Sequence, residues 1–167
     1  MKKQIIIAID PDTKKSGVAR VDKGDRKVWA ESLAFPALLD YLLTMQEIAG
    51  LQKADLKVYV EASWLVSYNW HMRATDTKAI SSRKGRDIGA MQQVGKLVLQ
   101  MCQHYGISAS EAMPLKKIWK GNDGKITHEE ISQFVKWDRK RSNQEERDAL
   151  LLAWVKAELP IIIPKVK

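Results

Sequence analysis

A chain of 167 residues can bury a hydrophobic core of its own, and no stretch of it approaches the roughly 20 apolar residues of a membrane span. Lysine and arginine outnumber aspartate and glutamate 28 to 20, a net charge of +8 that attracts polyanions. The single cysteine, Cys102, excludes an intramolecular disulfide and a cysteine-rich zinc site, and it points to a reducing compartment.

The first residues, Met1-Lys2-Lys3 before Ile5-Ile6-Ile7, imitate a signal peptide. The apolar run stops at Asp10, short of the usual hydrophobic region of about 7–15 residues, and no small-residue cleavage site follows. The expectation is one soluble, cytoplasmic domain over residues 1–167. Residues 4–9 read as a buried central strand that Pro11 ends. Residues 17–21 and 27–32 follow as strands around a Lys23-Gly24-Asp25 turn, giving an antiparallel meander.

Helical spacing then runs over Phe35–Leu51, with Leu38, Leu39, Leu42, Leu43 and Ile48 available for one face. A strand at 56–60 ends at Glu61. A long helix is predicted over 86–105, with Ile88, Met91, Val94, Leu97, Val98 and Met101 on its apolar side and Gly106 as its stop. Residues 107–112 form a fifth strand. Thr127-His128-Glu129-Glu130 and Asn143-Gln144-Glu145-Glu146 have capping-box spacing and predict helices at 128–137 and 144–158, the second ended by Pro160. Three strands, helix, strand, helix, strand and helices describe an α/β fold: a mixed five-stranded sheet flanked by helices on both faces. Residues 62–85 and 116–125 fit no periodicity and read as loops.

Two carboxylates stand where strands end, Asp10 and Glu61. If those strands are parallel neighbours, both emerge at one sheet edge. Glu145 and Asp148 share one face of the last predicted helix. Each acid taken singly also has a structural use: Asp10 as a turn former, the helical pair as acids that offset the helix dipole. Together the four can converge on hard cations. Mg²⁺ prefers such oxygen ligands, and two ions about 4 Å apart support in-line phosphodiester hydrolysis, with Mn²⁺ as a substitute.

These motifs resemble the RuvC family of Holliday-junction endonucleases, within the RNase H-like superfamily. Ile7-Ala8-Ile9-Asp10-Pro11-Asp12 with Gly17 resembles the family's opening strand, with Asp12 in place of the usual glycine. Val60-Glu61 is similar to its second acid. Glu145 and Asp148, followed by Ala149-Leu150, resemble its final pair. The resemblance implies that Asp10, Glu61, Glu145 and Asp148 ligate two Mg²⁺ ions and catalyse hydrolysis, and that the substrate is a four-way DNA junction. It also implies a homodimer joined through helix 86–105, although the apolar side of that helix can equally be core. Trp64 lies where the family tends to carry an aromatic that stacks on an unpaired base. The family's lysine before the next helix corresponds either to Lys125, as a catalytic residue, or to His128.

Charge adds further candidates for DNA contact. Between 63 and 86, Arg73, Lys78, Arg83, Lys84 and Arg86 face Asp76 alone. Such bases neutralise phosphates, and Trp64 or Trp70 offers a face to a flipped-out base, unless these rings pack beneath the loop. Lys117 and Lys125 are the candidates for the scissile strand in a second basic group. Lys136, Arg139, Lys140 and Arg141 form a third. Two other readings stay open: a related nuclease acting on RNA–DNA hybrids or other branched DNA, and a silent DNA-binding module.

Overall fold

A computed structural model describes residues 2–66 and 72–163. Its sheet has five strands in the order β3-β2-β1-β4-β5. They are β1 (Gln4–Asp10), β2 (Ser16–Asp22), β3 (Lys27–Leu33), β4 (Asp55–Glu61) and β5 (Ala109–Ala112). The first three form the expected meander, with β2 antiparallel to both neighbours. β4 runs parallel to β1, and β5 parallel to β4. Helices cover both faces: α1 (Phe35–Leu51) and α2 (Lys78–His104) on one, α3 (His128–Ile131) and α4 (Gln144–Lys156) on the other. The α/β class and the mixed five-stranded sheet flanked by helices on both faces expected above are present.

The run Ile5–Ile9 is buried throughout because β1 is central and must feed two cores. Successive strand residues point to opposite faces. Ile5, Ile7 and Ile9 therefore join the α1/α2 side, while Ile6 and Ala8 join the α3/α4 side. On β4, Val58 and Val60 face α1 and α2, and Tyr59 faces α4. The alternation carries one step further: Asp10 and Glu61 fall on the α4 side of the sheet.

α1 has the expected bounds, with Leu38, Leu42, Met45 and Ala49 as its buried stripe. α2 begins eight residues before its predicted start, capped by Thr77, whose side chain accepts from the Ile80 amide. Its core face is Gly95, Val98 and Cys102, and Leu97 is 38% exposed, so the predicted apolar side divides between core and surface. β5 begins at Ala109 rather than 107. The helix predicted for 128–137 closes after Ile131 and continues as turns, and α4 ends at Lys156. Both capping boxes form as their spacing predicted. Trp70 lies outside the described residues. Among those described, no helix is long and apolar enough to cross a membrane.

Candidate metal centre

Parallel pairing of Ile9 with Val60 sets Asp10 and Glu61 side by side at the ends of β1 and β4. Asp10 also lies across from Gly17 of β2. A Cβ on Gly17 would collide with the backbone carbonyl of Glu145, so the missing side chain lets the first turn of α4 rest on the strand beside Asp10. α4 is fixed there from several directions. The Asn143 side chain donates to Ser32 Oγ at 2.8 Å, Arg139 pairs with Glu146 at 3.1 Å, and the same guanidinium donates to the Ala30 carbonyl at 2.9 Å. Arg139, from the third basic group, thus has a structural position.

The electrostatics join what the topology brings together. Burial pushes the Asp10 carboxyl well above its ordinary value, reinforced by the negative charges of Glu61, Asp148 and Glu145 and opposed by Lys125. Burial likewise raises Glu61, with Asp148 adding to the shift and Lys125 and Lys117 opposing it. Four acids from three elements and two lysines therefore share one field.

Lys125 is the cation closest in. Its Nζ lies 3.4 Å from Asp148 Oδ2, while Asp148 Oδ1 accepts from Gln144 Nε2 at 2.7 Å. His128 stands elsewhere. Its Nε2–H donates to the Arg139 carbonyl at 3.0 Å and its Nδ1 bonds Ser142 Oγ at 2.8 Å, so the ring ties α3 to the segment entering α4. Of the two candidates, Lys125 is the one placed among the acids.

Lys117 and Lys125 belong to one stiff loop. Gly124 adopts φ +72°, and a Cβ there would strike the Lys117 backbone. The Trp119 amide donates to the Gly124 carbonyl at 3.0 Å, and the Lys120 and Thr127 amides donate to the Glu130 carboxylate at 3.0–3.2 Å. Burial alone would raise Glu130, but these hydrogen bonds hold its carboxyl below the ordinary value. Glu130 and Gln144 were not singled out in the sequence; the capping-box spacing was the signal available for Glu130.

Trp64, on a 3₁₀ turn at Ser63–Leu65, is half-buried and donates its indole N–H to Glu111 Oε1 at 3.0 Å. Arg73 and Arg83 are exposed before and within the first turns of α2. Lys84 pairs with Asp76 at 2.6 Å. The aspartate at position 12 is accommodated without strain: its carboxylate accepts from the Lys14 amide at 2.9 Å, and its own amide donates to Ser16 Oγ.

All donors at the sheet edge are carboxylate oxygens, and a divalent cation would offset both the burial that chiefly raises Asp10 and Glu61 and the repulsion that adds to it. The donor chemistry fits a hard cation. The side chains do not form a closed ligand shell, however: among the described residues, no group of three or more His, Cys, Asp and Glu is arranged to hold a metal. Both oxygens of Asp148 are engaged, by Gln144 and by Lys125.

The class that the fold defines is thus a mixed five-stranded α/β sheet with acids gathered at one edge. No protein-family model matches the chain, and no curated protein matches it. Among solved structures it is similar to T. thermophilus RuvC in complex with Holliday junction substrate, at 13% identity and a TM-score of 0.46. The match covers 92% of this chain and 95% of that one.

Proposed function

We propose that the protein is a divalent-metal-dependent DNA endonuclease that opens four-way junctions by paired nicks. The observation that supports this reading most is the convergence of Asp10, Glu61, Asp148 and Glu145 on one sheet edge, with Lys125 and Lys117 beside them. Asp10, Glu61, Glu145 and Asp148 would hold two Mg²⁺ ions, which supply an activated water and charge neutralisation at the phosphate. Asp10, flanked by the other acids, would be a ligand of that centre. Gln144 orients Asp148. Lys125 leaves its pairing with Asp148 to meet the scissile phosphate, where a fixed cation stabilises the charge that builds as the P–O bond breaks. Lys117, exposed on the same loop, holds the neighbouring phosphate.

Arg73, Arg83 and Lys84 would carry flanking DNA. The outward side of α2, where Ile80 and Leu97 are exposed, is the surface for a homodimer that sets two centres on opposed strands. The Lys125–Asp148 ion pair favours one alternative, a silent DNA-binding module whose lysine substitutes for a cation.

The test is incubation of a synthetic mobile four-way junction with Mg²⁺, alongside linear duplex and an RNA–DNA hybrid. Symmetric nicks in the junction alone, lost in Asp10→Asn, are expected. Cutting of the hybrid instead would reassign the substrate, and tight junction binding without nicks would establish the silent module.

A further inference from the structure

The indole of Trp64 is held on several sides. Its N–H is bonded to Glu111 of β5, and the Lys96 ammonium lies 5.5 Å from its ring centroid. Its far edge rests on Gly95 of α2, where a Cβ would stand 2.9 Å from Cζ3 and 3.1 Å from Cη2. The same Cβ would stand 3.0 Å from Pro11 Cγ. Gly95 is buried, whereas Gly89, two turns earlier on α2, faces open space. The bare backbone at position 95 therefore seats two residues at once: the one that follows Asp10, and the one three places after Glu61. Between Glu61 and Trp64, Ala62 is fully buried and its amide donates to the Ala112 carbonyl of β5 at 2.8 Å.

We propose that Trp64, seated on Gly95, is a positioning residue that sets the strand ends carrying Asp10 and Glu61 against each other. The N–H bond and the contact with Gly95 lie in the ring plane and the Lys96 ammonium stands at the ring, so together they fix the indole in its seat. A rigid strut at that place has a clear use, because a misplacement of about 1 Å at a reacting centre costs on the order of 10²-fold in rate. The inference rests on the nuclease reading for its effect on rate, and on packing alone for its effect on the backbone.

The experiment uses the full chain and measures two things: hydrogen exchange at the Ala62 amide, and single-turnover junction cleavage alongside junction Kd. Trp64→Ala should speed exchange at Ala62 and lower the cleavage rate roughly 10–100-fold, with Kd changed less than about threefold. Trp64→Phe keeps an aromatic ring over Gly95 and should retain most of the rate; it serves if the alanine variant fails to fold. Gly95→Ala, whose methyl would press on both Trp64 and Pro11, should slow cleavage and speed exchange at Ala62 in the same way. A weaker Kd with an unchanged rate in Trp64→Ala would overturn the proposal in favour of base stacking, as would unchanged exchange at Ala62. If the wild type cuts nothing, the nuclease reading falls by itself, and faster exchange in Trp64→Ala still sustains the positioning role.

Discussion

Asp10 sits buried among other acids, and the consequences for stability have a definite sign. Its carboxyl is raised by burial first and by Glu61, Asp148 and Glu145 next, so the folded chain binds that proton more tightly than the unfolded one. Stability therefore falls as pH rises from the ordinary 3.8 through the raised value, and the penalty is complete above it. Asp10→Asn should raise the melting temperature at neutral pH in chelator, with the gain shrinking toward pH 4 as the wild-type carboxyl takes up its proton. Differential scanning calorimetry across pH checks this. Lys125 opposes the same repulsion, so Lys125→Ala should lower stability in chelator and reduce single-turnover cleavage by about 10²-fold, as loss of a fixed charge stabiliser does. The choice between Lys125 and His128 was not legible in the sequence, since it turns on where Arg139 and Ser142 fold back onto the imidazole.

Among the elements, what could be read followed periodicity. The apolar stripe of α1 and the unbroken isoleucines of β1 fixed their bounds closely, and strand alternation alone sends Asp10 and Glu61 to the face that α4 covers. The start of α2 escaped because residues 78–87 are mostly polar and exposed, leaving no apolar period to detect. The helix predicted for 128–137 was too long because Phe134, Val135 and Trp137 reach the α4 side from turns, which helical spacing mimics. Gly95 takes its role from chain segments distant in sequence, so no local pattern marks it. The loop bearing Lys117 and Lys125 hangs on Glu130, which accepts from two backbone amides and the Thr127 hydroxyl. Glu130→Ala should cost about 1–3 kcal/mol by leaving those donors unpaired, measured by urea unfolding, and should also slow cleavage. Because the Glu130 carboxyl is held low, its contribution is present at neutral pH and is lost as pH falls through the lowered value.

For the whole molecule, the excess of basic residues and the exposed arginines around the start of α2 would, on the proposed function, bind DNA by neutralising phosphates. Junction affinity should fall linearly with salt on a log–log scale, and Arg83→Ala should reduce that slope by about one unit. A filter-binding series in KCl checks both. The central claim, that one sheet edge gathers acids from β1, β4 and α4 into a metal centre, is tested most directly by calorimetric titration of Mn²⁺ into the full-length protein and into Asp10→Asn. The account predicts saturable binding to the wild type and at least a tenfold weakening in the variant, since a cation here relieves the repulsion that centres on Asp10. Equal binding by both proteins, or none by the wild type at millimolar Mn²⁺, would contradict it.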